Sequence, residues 1–554
     1  MLAARRTRNS SLALIGVFMV SALVLNVKAQ QSQLGKVVFP TSGSEKAQAH
    51  FMRGLAALHS FWFEEALDEF RESTTIDPGF VMGYWGEAMA HNHPLWAEQD
   101  TAAARKALAN IKDTSKISAR ERAFVDAIRI LYGEGDKLAR DKAYAVAMEK
   151  IYLDFPDDLE AACFYSLSLL GTVRPGDRGF KRQALAGAIA MDIYNKNPNH
   201  PGAAHFIIHS FDDPEHAIIA LPAARRYAEI APEAHHARHM PAHIFLQLGM
   251  WPEAAASNES AWAVSDAWVK RKQLPLSTRD YHSLHWLAYV YLQQGRFAKA
   301  EQLLPMNRKD GVVRYNDDLT AAFIVETERW DLADKYFTPS AAAVGAEMAG
   351  HAGHNAPSTP PAAASSTTPP RAQRSQSLPS FIRGLAAAKT GSPEGARFIA
   401  ELQAARKQIS EKGDVYPLKS AEIKELEVSA AIAASKQNFT EAIELMKRAT
   451  TLEEEMSPPS GPPSLIKPSH ELFGEILLSA SRPKEAAEQF GIALLRQPNR
   501  ARSLLGAARA AAKSGDTKTA LIAYSKLLQQ WNQADPNLTE LREAQDYLKQ
   551  ASNR

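Results

Sequence analysis

The chain has 554 residues, of which 45% are hydrophobic and 23% charged, a composition typical of a folded protein. Its net charge of +2 provides no basic excess to neutralise phosphates, which argues against nucleic acid as a partner. Cys163 is the single cysteine, so an intramolecular disulfide and a cysteine-based zinc site are both excluded.

The first 29 residues have the features of an export signal. A short arginine-rich start precedes the apolar stretch 11–25, and Val27 and Ala29 place compact side chains where a signal peptidase would cut. The apolar stretch is short for a membrane span, which needs about 20 residues. We therefore expect residues 1–29 to be removed and the protein to be periplasmic or secreted in a bacterium. The membrane would be a partner only if this segment stayed attached.

From residue 46 onwards the sequence repeats the pattern of a helical hairpin. Small residues where two helices touch, an aromatic residue in the second helix and a proline at its end are typical of a solenoid repeat of 34 residues. Alternating β-branched residues, which would predict strands, are not evident, so the sequence predicts an all-α fold. The spacing Gly-x11-Ala-x3-Phe-x7-Pro occurs near both ends of the chain, first at Gly54, Ala66, Phe70 and Pro78 and then at Gly474, Ala486, Phe490 and Pro498.

The composition changes abruptly over residues 341–378. This tract is rich in Ala, Pro, Ser and Thr and has few side chains that a core could bury, which predicts disorder. It divides the array into an N-terminal block, 46–340, and a C-terminal block, 379–554. The tract is either a linker between two blocks or an insertion within one continuous solenoid, and the sequence leaves both open.

The repeat spacing resembles that of the tetratricopeptide repeat family. This resemblance implies a right-handed α-solenoid of helical hairpins, in which the first helix of each hairpin lines a concave groove at repeat positions 2, 5, 9, 12 and 13. The strings at 59–66, 84–94 and 239–245 are also similar to those of exported bacterial tetratricopeptide proteins without an established activity. That second resemblance implies a fold and brings no ligand.

Histidine is concentrated at the groove positions of this register. About two or three of the seventeen histidines would fall there by chance. Nine do: His59, His93, His205, His209, His236, His239, His243, His282 and His285. Other groove positions are filled by Phe51, Trp85, Met89 and Tyr289.

A protein-binding module or scaffold, rather than an enzyme, is the first interpretation of this groove. Solenoids hold peptide or protein segments through spaced polar contacts and apolar pockets. We expect Phe51, Trp85 and Met89 to supply the apolar contacts. The polar contacts would come from His59, His93, His236, His282, His285 and Tyr289. The oligomeric state does not follow from the sequence.

The alternative is a metal-binding protein, and by extension a metalloenzyme. His205/His209 and His239/His243 are two His-x-x-x-His pairs, 34 residues apart, and each can present two imidazoles to one ion from adjacent helical turns. Asp212 and Asp213 would be further ligands or would orient an imidazole. These donors suit a divalent transition metal such as zinc, although copper, nickel and iron fit equally. The competing explanation is that the histidines only pack helices or contact a peptide.

Overall fold

The computed structural model describes residues 33–174, 176–177, 179–312, 315–338, 371–411 and 415–553, and side chains from residue 377 in the segment that begins at 371. These residues are predominantly helical, which confirms the all-α prediction. The expected signal segment, 1–29, lies outside the described residues, as does most of the tract 341–378. The next described helix begins at Arg371, inside the tract that the sequence predicted to be disordered.

Helices pack in antiparallel pairs along the first part of the array. Several begin with an Asp or Ser side chain that accepts a hydrogen bond from the first turn, as at Ser118, Asp136 and Asp158. In chain order the helices are α1 Glu45–His59, α2 Phe63–Ile76, α3 Val81–Ala90, α4 Thr101–Leu108, α5 Ala119–Leu131, α6 Lys137–Asp154, α7 Leu159–Gly171 and α8 Lys181–Lys196.

The middle of the array contains shorter helices that carry most of the groove histidines. They are α9 Pro201–Ser210, α10 Ala217–Ile230, α11 His235–His239, α12 Pro241–Gln247, α13 Trp251–Lys272, α14 Tyr281–Gln293, α15 Phe297–Lys309, α16 Asn316–Thr327 and α17 Ala333–Phe337. Three 3₁₀ turns, Pro94–Trp96, Leu276–Thr278 and Trp330–Leu332, connect helices. The strands in the described residues, β1 Asn92–His93 and β2 Glu98–Gln99, form one short antiparallel pair around the first of these turns.

The final part returns to regular hairpins of longer helices. They are α18 Arg371–Thr390, α19 Gly395–Ser410, α20 Val415–Ser435, α21 Phe439–Glu454, α22 Ser469–Ser479, α23 Pro483–Arg496, α24 Ala501–Ser514, α25 Thr517–Gln530 and α26 Thr539–Ser552. Helix α18 packs directly on α16 and α17. One hydrophobic core contains both Phe323 and Phe381, so the helices on the two sides of the tract pack against each other.

An aromatic ring between two glycines explains the repeat spacing. A Cβ atom added to Gly54 or Gly86 would lie 2.9 or 2.4 Å from the ring of Phe70. Only a residue without a side chain lets the helices on both sides of the ring approach this closely. The same arrangement recurs around Phe490, where Cβ atoms added to Gly474 and Gly506 would lie 2.7 and 2.3 Å from the ring.

The array curls tightly enough for α1 to contact α9, and segment 33–43 packs against this part of it through Leu34 and Phe39. The amide of Lys36 donates to the carbonyl oxygen of Asn199 (2.8 Å), which fixes the segment against the start of α9. Phe39 is 1% exposed, and its ring centroid lies 5.0–5.6 Å from those of Phe51, Trp85 and Phe124. The N-terminal end of the predicted groove is therefore a hydrophobic core.

Candidate metal centre

Four helices bring six of the groove histidines together beyond this core. Helices α9, α11, α12 and α14 each expose one face to the interior of the array, and residues four apart on a helix lie on the same face. The six form two triads of ring nitrogens, within each of which all three nitrogens lie within 4.8 Å of one another. Triad A is His205, His209 and His236, and triad B is His239, His243 and His282.

Triad B contains two nitrogen lone pairs that face each other. Asn258 donates its amide to the carbonyl oxygen of Ala254 (2.9 Å), so its oxygen accepts from Nδ1 of His239 (2.7 Å). Nδ1 of His243 donates to Oδ2 of Asp212 (2.6 Å). A neutral imidazole that is protonated at Nδ1 has a lone pair at Nε2. The two Nε2 atoms lie 3.1 Å apart, so in this tautomer two acceptors face each other.

Triad A has one fixed acceptor and one nitrogen without a partner. Nδ1 of His205 donates to the carbonyl oxygen of His59 (2.7 Å), which leaves a lone pair on its Nε2. Nε2 of His209 lies 3.0 Å from that atom. His236 is 7% exposed, and its Nε2 is buried with no hydrogen-bond partner among the described residues. A buried polar atom without a partner is costly, so its position requires an explanation.

Burial lowers the pKa of five of the six triad imidazoles and so favours their neutral form. It lowers the pKa of His205 to about 3 and that of His239 to about 3, with neighbouring histidines contributing in the same direction. Burial, followed by the same mutual effect, also holds the pKa values of His209, His236 and His282 well below the ordinary range. Histidine binds metal ions as the neutral imidazole.

The two predicted carboxylate ligands have different roles. Asp212 holds His243 through Oδ2, and its Oδ1 accepts from the amide of Gln247 (3.3 Å). It therefore orients an imidazole, one of the two roles that the sequence indicated for it. Asp213 instead bonds the ring of His216 (2.9 Å), which belongs to neither triad.

Aromatic rings and a distant loop enclose the triads. The ring of Trp286 lies 4.2 Å from that of His243 and 4.9 Å from that of His239, and Phe61 lies 4.3 Å from His205 (centroid distances). The proline-rich loop before α22 covers Trp286, because a Cβ atom on Gly461 would lie 2.4 Å from the indole. Gln247 joins the loop to the centre, since its amide also donates to the carbonyl oxygen of Pro459 (2.8 Å).

A third cluster, His59, Cys163 and His200, is a closed structural network. His59 and His200 each place Nε2 within hydrogen-bond distance of the carboxylate of Glu160 (2.7 and 3.1 Å). Nδ1 of His200 accepts from the amide of Ala203, and Sγ of Cys163 lies 3.8 Å from Nδ1 of His59. Because every imidazole nitrogen here has a protein partner, the cluster needs no ion.

The residues predicted to bind a peptide lie in several different places. Phe51, Trp85, Met89 and His59 are almost fully buried, in contrast to the open groove that the sequence suggested, because segment 33–43 and the curl of the array cover them. His93 stacks on Phe63, with 4.0 Å between ring centroids. His285 stacks on Tyr315, and the hydroxyl of Tyr289 accepts a hydrogen bond from Arg500. His236 and His282 belong to the triads.

Sequence reasoning missed the residues that position and cover the triads. Asn258, Gln247 and Trp286 lie on three different helices. Gln247 and Trp286 each follow a triad histidine by four residues, so helical spacing was a signal for these two. Gly461 is more than 170 residues from the nearest triad histidine in the chain. A further signal was composition, because His282, His285 and Trp286 lie close together in an otherwise apolar helix.

The comparison with protein families assigns the last hairpins of the array. A family model described as tetratricopeptide repeat matches residues 472–536. This region is similar to tetratricopeptide repeats. It contains the packing of Phe490 between Gly474 and Gly506, whose counterpart around Phe70 lies at the opposite end of the array. No curated protein matches the sequence.

Several solved structures of helical-repeat proteins are similar to the chain at low identity. The crystal structure of the APC/C hetero-tetramer Cut9-Hcn1 is 13% identical, with 91% of this chain and 76% of that chain covered and a TM-score of 0.31. The human IFIT1 dimer with m7Gppp-AAAA is 12% identical, with coverages of 89% and 91% and a TM-score of 0.36. Yeast Tom70 is 11% identical, with coverages of 91% and 88% and a TM-score of 0.29.

Among the described residues, no helix is both long and apolar enough to cross a bilayer.

Proposed function

We propose that this protein binds transition-metal ions through the two histidine triads. The observation that carries the proposal is the pair of Nε2 lone pairs of His239 and His243, held 3.1 Å apart by Asn258 and Asp212. Two acceptors at this distance repel each other unless a cation lies between them. A proton can bridge two nitrogens but not three, and each triad offers three.

The dimensions of the triads support the same proposal. Zinc and similar ions lie about 2.0–2.1 Å from imidazole nitrogens, so three ligands around one ion are separated by no more than about 4.2 Å. Nitrogens within 4.8 Å reach that arrangement through small side-chain rotations. Three protein ligands leave a fourth position for water or a substrate, the arrangement found in catalytic rather than structural sites.

Metal analysis tests the proposal directly. Full-length protein is purified without a histidine tag, offered zinc, copper, nickel and iron separately, desalted and analysed for bound metal. We expect retained metal in the parent and in His216→Gln, whose ring lies outside both triads. We expect its loss from a His205→Ala/His239→Ala double variant that keeps the helical circular-dichroism spectrum. A chelator should also lower the melting temperature of the parent, because an ion bound only to the folded state stabilises that state. Absence of metal from every parent sample would refute the proposal.

A second function, binding of an extended peptide, is supported by segment 33–43 itself. This segment lies in the groove as a peptide ligand would. The amide of Val38 donates to Glu160 (3.3 Å), and the amide of Ser42 donates to Glu121 (2.7 Å). Phe39 fills the apolar site between them. Helical repeats of this class are typical of protein-interaction modules, and a partner that carries a similar segment could replace this one.

Competition with a synthetic peptide tests the second function. Phe39→Ala should weaken the contact of segment 33–43 with the groove. A fluorescent peptide with the parent sequence of residues 33–44, including Phe39, is then titrated onto the full-length variant. We expect the peptide to bind Phe39→Ala more tightly than the parent or Val38→Ala, because Val38 is 66% exposed and contributes little. Equal binding, or none, would contradict an exchangeable groove.

Export is a further part of the proposal, and the mass of the mature protein from its native host would show whether residues 1–29 are removed.

A further inference from the structure

We propose that triads A and B are the two halves of one dinuclear centre that takes a pair of copper(I) ions. The inference rests on the proposed metal-binding function and specifies the number and kind of ions. It starts from the position of the triads relative to each other. His236 and His239 belong to different triads but lie on the same short helix, α11, with their ring centroids 5.8 Å apart.

A second contact joins the triads on their other side. The ring of His209 in triad A lies 5.7 Å from the ring of His243 in triad B, nearly perpendicular to it. Imidazoles of the two triads therefore touch at two places, one on α11 and one between α9 and α12. Two ions, each held by one triad, would be close neighbours in a single enclosed space, and each would feel the charge of the other.

Charge determines which ions such a space can hold. All six donors are imidazoles, which bring no negative charge, and the nearby carboxylate of Asp212 supplies one negative charge through its bond to His243. Asp280, the next carboxylate, is held by His235 and Ser283. Two divalent ions would introduce four positive charges, and a bridging hydroxide would remove only one of them. Buried charge without compensation is strongly unfavourable, so two monovalent ions fit this environment better.

The ligands and the walls of the centre lead to the same ion. Imidazole nitrogens bind copper well, and copper(I) is stable with three such donors and without water. Zinc in a site with three protein ligands keeps a water molecule as its fourth ligand. Phe61 and Trp286 pack against the triads, and Trp286 is itself 4% exposed beneath the loop at Gly461. An aromatic wall beside three nitrogens is suited to an ion that needs no water.

The kind of ion is tested by anaerobic loading. Full-length, untagged protein receives copper(I) alone or zinc alone, each in competition with a chelator of matched affinity for that ion, and retained metal is counted per chain. We expect two copper(I) ions per chain and no more than one zinc ion. Two zinc ions held against the chelator, with copper(I) lost, would overturn the assignment to copper.

The number of ions in one centre is tested on protein that is loaded anaerobically with copper(I), analysed for bound copper, and then oxidised with ferricyanide for electron paramagnetic resonance. Two adjacent copper(II) ions couple, so the parent should show clearly fewer than two spins per chain. His209→Gln removes a ligand from triad A and His282→Gln removes one from triad B. Each variant should bind one copper and recover one full spin, whereas His216→Gln should behave as the parent does.

The possible results separate this inference from the proposed function. Two full spins in the parent would show that the triads bind independently, and a single ion in the parent would show that only one triad is a site. Either result overturns the dinuclear centre and leaves metal binding standing. Retention of no metal at all would overturn both. Circular dichroism of the two triad variants shows whether a loss of metal follows from unfolding.

Discussion

Gly461 lies against Trp286, so close that a Cβ atom on the glycine would be 2.4 Å from Cζ2 of the indole. The ring of Trp286 in turn lies 4.2 Å from that of His243. The loop therefore determines where the indole sits, and the indole determines how much room the imidazoles of triad B have.

Gly461→Ala should consequently destabilise the protein. Overpacking of a filled space typically costs about 1–3 kcal/mol, and the loop would have to move away from Trp286. We expect a lower urea midpoint and a redshift of tryptophan fluorescence. Gly491→Ala is the matched control, because a Cβ atom there meets no atom within 4 Å and alanine stabilises a helix by about 0.5–1 kcal/mol. Equal effects of the two substitutions would contradict the close contact.

Asp212→Asn should weaken metal binding without removing a ligand. The carboxylate fixes Nδ1 of His243 as a donor, and replacement of such an orienting group typically lowers metal affinity about 10- to 100-fold. Asp213→Asn is the control, since Asp213 bonds His216 outside the triads and its substitution should leave affinity unchanged. Affinities come from titration against a competing chelator. Equal losses in both variants would show that the effect is general to the loop.

Arg500→Met should destabilise the junction between the middle of the array and its last hairpins. The guanidinium is fully buried and bonds both carboxylate oxygens of Glu471 (2.8 and 3.1 Å) and the hydroxyl of Tyr289 (3.0 Å). Removal of one partner from a buried ion pair typically costs about 3–5 kcal/mol. The free energy of unfolding in urea measures this cost. Arg397→Met, at an exposed pair with Glu401, should change it by less than about 0.5 kcal/mol.

Glu427→Gln should become increasingly stabilising as the pH rises. Burial holds the pKa of Glu427 well above the value of 4.5 that applies to an unfolded chain. The folded protein therefore keeps this proton after the unfolded chain has lost it. Because the unfolded state then binds fewer protons, the parent loses stability as the pH rises above about 4.5, by up to about 1.4 kcal/mol per pH unit until the folded-state pKa is reached. Glutamine carries no such penalty.

Urea unfolding of the parent and Glu427→Gln at several pH values between 4.5 and 8 gives this difference. Oε1 of Glu427 accepts from the hydroxyl of Ser469 (2.6 Å), a bond that an amide oxygen preserves, so the comparison isolates the charge. Glu444→Gln, at an exposed position, provides the control. A stability difference that is the same at every pH would show that Glu427 is ionised in the folded protein.

Local spacing in the sequence predicted the helical-repeat fold and identified four of the six triad histidines as two pairs. The distance from Gly54 to Phe70 recurs at Gly474 and Phe490 because each hairpin buries its face only on its neighbours. The His-x-x-x-His spacing identified two pairs because one helical turn returns to the same face. His236 and His282 complete the triads, and the repeat register placed both at groove positions without pairing them with the other histidines.

The curl of the array could not be predicted, and it changes the character of the groove. Small differences in packing angle at each hairpin accumulate until α1 contacts α9. No single residue in the sequence indicates the accumulated angle. The covering of Phe51 and Trp85 by Phe39 follows from this closure. The groove register therefore did not indicate that Phe51 and Trp85 would be covered.

The position of the covering loop in the chain has a consequence for biogenesis. A chain that emerges from a ribosome, or from a membrane pore, completes all six triad histidines about 175 residues before Gly461 appears. At roughly 5–20 residues per second, synthesis leaves the centre uncovered for about 10–35 s. During that interval an ion can reach the imidazoles without passing Trp286. Loading would then be coupled to chain synthesis, and mature protein stripped of its ions should regain them far more slowly than nascent protein acquires them.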